Sequence, residues 1–248
     1  MKVLLVTGAS KGIGKATAIL GAKAGYHVCV NYNSSKEDAK NTVDQIKKEG
    51  GDAISIKADV STEAGVKILF ETIDKQFGRL DGLFNNAGII LKTQRVENIT
   101  AEQLEYLWRV NVTSQFLCAR EAIKRMSTKN GGHGGSIVNM SSVHSRLGAP
   151  GEFVSYAASK GAIDALTHGL SLEVINEGIR VNAVRPGLID TDIHALGGNR
   201  NRPNEVSNKI PIGRAGTPED IAEGVIWLMS DAASYCVNTL LDISGGRS

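Results

Sequence analysis

A tyrosine and a lysine four positions apart, Tyr156 and Lys160, are the residues in this chain best suited to handling a proton. They lie in Val154-Ser155-Tyr156-Ala157-Ala158-Ser159-Lys160, which opens a run with apolar residues at Val154, Ala157, Ala158, Ala162, Ala165, Leu166 and Leu170. That spacing predicts a long helix, on which positions i and i+4 share a face one turn apart. An ammonium beside a phenol favours phenolate, so the tyrosine pKa is expected to fall from its free value of about 10. A lowered pKa suits a general acid or base working near neutral pH. Pairs at this spacing are common on half-exposed helices that do no chemistry. The assignment therefore depends on what the rest of the chain brings to the same place.

The stretch Thr7-Gly8-Ala9-Ser10-Lys11-Gly12-Ile13-Gly14 joins a Val- and Leu-rich strand pattern, Lys2 to Thr7, to a helical pattern, Ala16 to Ala24. Strand, glycine turn and helix in that order make a phosphate site. Gly8 permits the tight turn, Gly12 lets backbone approach a pyrophosphate, and Gly14 lets helix and strand pack closely. A plain turn is the alternative. A site that prefers NAD usually carries an acid after the second strand to hold the ribose 2′-hydroxyl. Here the strand His27 to Tyr32 ends in Asn31-Tyr32-Asn33-Ser34-Ser35, with no acid until Glu37, and Lys11 offers positive charge to a 2′-phosphate. NADP(H) preference is expected; a solvated Lys11 and a site open to both cofactors is the alternative.

More polar residues fall at the carboxyl ends of strand patterns, where open α/β sheets bind ligands. Asp59 follows Ala53 to Ala58 and could accept from an adenine amino group or only form a turn. Asn85-Asn86-Ala87-Gly88 follows Leu80 to Phe84; it could be a turn, or could bring backbone to a ribose while the amides brace neighbouring strands. Ser141 and Ser142 follow Ser136 to Met140, and Arg185-Pro186-Gly187 follows Ile179 to Val184. Asn111 shares a row with Leu104 and Trp108 on a helix that starts at the capping box Thr100-Ala101-Glu102-Gln103 and runs to about Met126. A buried amide must be hydrogen-bonded, so Asn111 is either a brace or part of a site.

The elements that carry these residues alternate strand and helix throughout, without linker or repeat. That predicts a single α/β domain spanning residues 1–248: a Rossmann fold, a doubly wound parallel sheet of about seven strands with helices on both faces. Val143 to Phe153 reads as a loop, and residues 188–210 as a substrate lid with little periodicity. At 248 residues the chain is long enough for a substantial core, and 42% hydrophobic and 22% charged residues are ordinary for a globular protein. A net charge of +2 gives no basic footprint for nucleic acid. No apolar run approaches the ~18 residues of a membrane span, and Met1 to Val6 is too short for a signal h-region. Three scattered cysteines and five histidines without ligand spacing predict neither a disulfide framework nor a metal, and fit a reducing cytoplasm.

The pieces Thr7-Gly8-x-x-x-Gly12-Ile13-Gly14, Asn85-Asn86-Ala87-Gly88, Asn111, Ser141-Ser142, Tyr156-x-x-x-Lys160 and Arg185-Pro186-Gly187, in this order and spacing, resemble the short-chain dehydrogenase/reductase family over essentially the whole chain. The chain looks closest to the branch of 3-oxoacyl-carrier-protein reductases and glucose 1-dehydrogenases. The resemblance implies an NAD(P)-dependent oxidoreductase acting on CH-OH donors, usually a homotetramer. Its catalytic set, carried over by position, is Asn111, Ser142, Tyr156 and Lys160. The cofactor would be held by Gly8, Ser10, Lys11, Gly12, Ile13, Gly14, Asn31, Tyr32, Asn33, Ser34, Asp59, Val60, Asn86, Ala87, Gly88, Tyr156, Lys160, Pro186, Gly187, Ile189 and Thr191. The segment from Ser142 to Tyr156 is slightly longer than in the carrier-protein reductases, which alters the substrate wall.

On this reading Tyr156 donates a proton to the substrate oxygen, Ser142 holds that oxygen, and Lys160 lowers the tyrosine pKa and binds the nicotinamide ribose. Asn111 kinks its helix and holds a water between Lys160 and solvent. Substrate choice falls to residues 143–153 and the lid, with His144, Arg146, Phe153 and His194 as candidates. The substrate is a carbonyl or secondary alcohol: a 3-oxoacyl thioester, a sugar or a small ketone. An NAD-dependent sugar or alcohol dehydrogenase, a nicotinamide-dependent epimerase and a non-catalytic cofactor-sensing regulator are the alternatives.

Overall fold

The structure is a computed structural model and describes residues 1–247. Its strands are β1 (Lys2–Val6), β2 (Tyr26–Tyr32), β3 (Asp52–Lys57), β4 (Gly82–Asn85), β5 (Gly135–Met140), β6 (Ile179–Pro186) and β7 (Leu240–Ile243). The helices are α1 (Gly12–Lys23), α2 (Lys36–Lys48), α3 (Glu63–Phe77), α4 (Ala101–Trp108), α5 (Ser114–Met126), α6 (His144–Leu147), α7 (Val154–Val174), α8 (Ile193–Leu196), α9 (Arg202–Val206) and α10 (Pro218–Met229). The strands form one seven-stranded sheet in the order β3-β2-β1-β4-β5-β6-β7, every pairing parallel. The order reverses between β1 and β4, and a crevice opens outside the carboxyl ends of two such strands.

Alternation along β1 shows how the sheet is covered on both sides. Leu4 and Val6 enter one core with Ala18 of α1, Val43 of α2 and Val225 of α10. Val3 and Leu5 enter the other with Leu69 and Phe70 of α3, Cys118 of α5 and Val174 of α7. Successive strand side chains point to opposite faces, so a strand buried on both reads as an unbroken apolar run.

Several helix starts are fixed by side chains. Thr62 accepts from the Gly65 N–H, and Thr100 and Thr217 each close a capping box with the residue three positions on. Each such cap contributes about 1 kcal/mol. The expected helix to Met126 is interrupted: Arg109–Thr113 forms a π-turn between α4 and α5. The segment expected to be a bare loop before Phe153 holds α6, and the expected lid holds α8 and α9. These are helices of four or five residues, too short for a periodic pattern to register.

Candidate active site

Three elements converge at the carboxyl edge of the sheet. β5 delivers Ser142 just past its end, α7 carries Tyr156 and Lys160 in its first two turns, and the π-turn carries Asn111. Lys160 is 1% exposed, and its Nζ donates to the Met140 carbonyl at 2.7 Å. The same ammonium lies 5.5 Å from the centre of the Tyr156 ring. The Ser142 Oγ accepts from the His144 N–H at 3.2 Å.

The electrostatics correct one expectation. Desolvation pushes the Tyr156 phenol up to about 12, and only the neighbouring Ser142 hydroxyl pulls it back. Desolvation also pushes Lys160 down to about 7, against the pull of the Asp164 carboxylate. Spacing along the chain reveals the cation but not the cost of enclosing both groups in protein.

Asn111 is fully buried, and its side chain is spent locally. Its Oδ1 accepts from the Ile89 N–H at 2.8 Å; its Nδ2 donates to the Ile89 carbonyl at 2.9 Å and to Ser159 Oγ at 3.2 Å. The amide therefore ties the π-turn to the segment after Gly88 and to α7.

A cleft of about 650 Å³ runs from the glycine turn to Tyr156 and on towards α8 and α9. Every residue expected at the cofactor or catalytic site lines it except Tyr32 and Asn111. Tyr32 is 7% exposed and packs into the core with Val30 and Ala39, so its place at the end of β2 does not put it at the site. Asn31 lines the cleft, but its side chain is committed elsewhere: Oδ1 accepts from the Gly8 N–H, and Nδ2 donates to the Ile56 and Ala58 carbonyls. Asn86 likewise donates to the Thr7 and Gly8 carbonyls, and Asn85 to Gln115 and Asn139. The amides brace the strands beneath the turns.

The residues at the glycine turn fit a pyrophosphate. Gly8 has φ +61°, and a Cβ on Gly14 would fall 2.5 Å from the Gly8 carbonyl oxygen, so α1 approaches β1 as only glycine allows. The N-terminus of α1 has no side-chain cap and no acid in its first turn. Its free N–H groups and the positive end of its dipole face the cleft, which suits an anion. At the far side of this turn, Lys11 pairs with Asp38 at 3.1 Å, both about half exposed. Asp38 follows Glu37 in α2 and looks remote in sequence; the first turn of that helix brings it back to the glycine loop. Asp59 lines the cleft while its Oδ1 accepts from the Ser61 N–H at 2.9 Å, so it both makes the turn and faces the site.

The wall beyond Tyr156 is mixed. His144 sits edge-on to the Tyr156 ring at 6.0 Å and against Phe153 at 6.4 Å. Burial pushes its pKa down to about 4, with Arg247 and Arg202 adding to the shift, so the ring is neutral near pH 7. His194 also lines the wall, and its Nε2 contacts the Ile189 carbonyl at 2.8 Å. Arg146 points elsewhere, to Asp242 of β7. Arg202 and Arg247 join the wall without any sequence signal. Arg202 grips Glu152 and stacks on Phe153 at 5.3 Å, which ties α9 to the segment before α7. No local pattern marks a contact between residues this far apart in sequence.

Among the described residues, no cluster of His, Cys, Asp and Glu could hold a metal, and no helix is long and apolar enough to cross a membrane. A family model described as enoyl-(acyl carrier protein) reductase matches residues 8–248. The chain is 52% identical to an uncharacterized oxidoreductase, YgfF, of Escherichia coli (strain K12), over all of both chains. It is 38% identical to glucose 1-dehydrogenase 2 of Bacillus subtilis (strain 168), over all of this chain and 95% of that one. It superposes on the angucycline C-6 ketoreductase LanV with bound NADP at a TM-score of 0.90, with 33% identity, over 99% of this chain and 95% of that one. With a fold, a cleft and relatives of this kind, the chain belongs to the short-chain dehydrogenase/reductase family and is an oxidoreductase that uses a nicotinamide cofactor.

Proposed function

We propose that this protein is an NADP(H)-dependent oxidoreductase that interconverts a carbonyl and a secondary alcohol, with Ser142, Tyr156 and Lys160 as the catalytic residues. The observation that carries it is the meeting of Ser142, Tyr156 and Lys160 in the same cleft as the uncapped N-terminus of α1. The bound nicotinamide supplies the hydride chemistry; the protein orients it and handles the proton. In reduction the substrate oxygen gains negative charge. Ser142 donates a hydrogen bond to that oxygen, and Tyr156 passes it the phenolic proton. A phenol held near 12 is protonated at neutral pH, which is the form a proton donor needs. Lys160 supports the phenolate left behind and reaches the nicotinamide ribose. Asn111 fixes the π-turn against Ile89, where backbone would face the ribose.

The absence of a carboxylate among Asn33, Ser34 and Ser35, with Lys11 beside them, supports NADP(H). The Lys11–Asp38 pair favours the second reading, an NAD-dependent sugar or alcohol dehydrogenase, because Asp38 offsets the charge a 2′-phosphate would use. Residues 188–210, with α8 and α9, serve as the substrate lid of this one domain. The chain works in the cytoplasm as a homotetramer. Leu104, Trp108, Phe116 and Leu172 are 37–59% exposed on α4, α5 and α7, and Trp227 and Tyr235 are exposed on and after α10, on the other side of the sheet. Two separate self-complementary faces build a dihedral tetramer.

The test follows NADPH absorbance with a panel of small ketones, sugars and 3-oxoacyl thioesters, repeated with NADH. Oxidation of NADPH by at least one carbonyl supports the reading. No turnover across the panel in either direction contradicts it.

A further inference from the structure

A line of alternating charge runs beneath the catalytic cluster. Arg185 of β6 grips Asp164 of α7, with Nη2 and Nε donating to Oδ2 at 2.7 and 3.1 Å. The Ser141 hydroxyl donates to Asp164 Oδ1 at 2.6 Å. Arg185 also faces Asp242 of β7 at 3.7 Å, and Asp242 takes Arg146 of α6. The line thus leaves the segment around Ser142 at Ser141, crosses α7, β6 and β7, and returns to it at Arg146. The side chains of Arg185 and Asp164 are 13% and 15% exposed, so solvent screens them weakly.

Asp164 lies one helical turn past Lys160. Among the described residues, the other groups at the lysine carry no charge: the Met140 carbonyl at the end of β5, the Tyr156 ring, and the Asn111 amide, which is spent on Ile89 and Ser159. Among the described residues, the Asp164 carboxylate is the charge that opposes the effect of burial on Lys160. Arg185 and the Ser141 hydroxyl between them occupy both oxygens of that carboxylate. Arg185 also offsets part of the field the carboxylate projects.

We propose that Asp164 is a positioning residue that draws Lys160 towards its cationic form against the effect of burial, and that Arg185 sets how much of its charge Lys160 feels. The proposal rests on Lys160 being part of the proton relay, but its test needs no turnover. Protein labelled with 13C at lysine Cε reports each ammonium's titration, and the Lys160 signal is the one lost in Lys160→Arg. Asp164→Asn is expected to lower the Lys160 midpoint by about one pH unit. Arg185→Gln is expected to raise it, because the carboxylate is then uncompensated. A pair that only holds the fold together would move both midpoints the same way or neither, and either result overturns the proposal. If a single variant does not fold, the double variant Asp164→Asn/Arg185→Gln replaces both charges with amides. Its midpoint is then expected below wild type; a midpoint at the wild-type value overturns the proposal. If no carbonyl is reduced but the midpoints move in opposite directions, the proposed function fails while the coupling of Lys160 to Asp164 and Arg185 stands. Turnover with unmoved midpoints sinks the inference alone.

Discussion

Lys160 lies 5.5 Å from the centre of the Tyr156 ring while giving a hydrogen bond to the Met140 carbonyl at 2.7 Å. The cation therefore meets the face of the ring with part of its hydrogen-bonding capacity already committed to backbone. Burial raises the phenol and depresses the ammonium, so both groups are pushed towards their neutral forms. In the free site the phenol, raised to about 12, therefore keeps its proton at neutral pH, while the lysine, lowered to about 7, exchanges its own there.

That placement has a stability consequence with a definite sign. The Lys160 ammonium is held at about 7, against 10.5 for an ordinary solvated lysine. Between those values the unfolded chain binds the proton and the folded one does not, so stability rises with pH across this window. The cost of the buried cation is complete below about 7 and gone above 10.5. The stability of Lys160→Met relative to wild type should therefore be highest near pH 6, where the wild-type protein carries the full cost of the buried cation. That relative stability should fall steadily towards pH 10. Urea unfolding of both proteins across this range checks it; a difference independent of pH would mean that packing, not charge, sets it.

Cofactor choice should respond to the Lys11–Asp38 pair in opposite directions. Lys11→Ala should lower kcat/KM for NADPH about tenfold, since hydrogen bonds to charged groups contribute roughly 1.5–3 kcal/mol, and should leave NADH nearly unchanged. Asp38→Asn frees the lysine and should raise the NADPH:NADH ratio. Steady-state kinetics with both cofactors decides the matter; equal effects on the two would place Lys11 outside 2′-phosphate recognition.

Assembly should divide along the two exposed apolar faces. Phe116→Glu combined with Leu172→Glu puts charge on the α5 and α7 face, and Trp227→Glu with Tyr235→Glu on the other. Each pair of substitutions should convert a tetramer into a dimer in sedimentation velocity, and all four together into a monomer. A wild-type protein that sediments as a monomer contradicts the assignment.

What could be read from the chain alone divides by range. The seven strands and the Tyr156 helix announce themselves because apolar runs and i, i+4 spacing are local. Ser142, Tyr156 and Lys160 are recognisable because motif order survives without coordinates. Asn31 and Asn86 do lie at strand ends as expected, but their side chains serve the backbone of neighbouring strands, a register effect invisible in one strand's sequence. Tyr32 departs from expectation for the converse reason: alternation turns it into the core beside two residues that face the cleft. The Tyr156 pKa moves opposite to expectation because a charge partner can be seen in sequence and desolvation cannot. Asp164 with Arg185, and Arg202 with Glu152, join residues 21 and 50 positions apart, and no window short enough to read by eye contains them.

The central claim is that the Tyr156 phenol delivers the proton beside a bound nicotinamide. Tyr156→Phe keeps the ring and its packing against His144 and Lys160 and removes only the hydroxyl. NADPH affinity of the variant, read by fluorescence titration, should stay within about threefold of wild type, while kcat for carbonyl reduction should fall about 10²–10⁴-fold. A variant that binds NADPH and turns over at the wild-type rate would contradict the account.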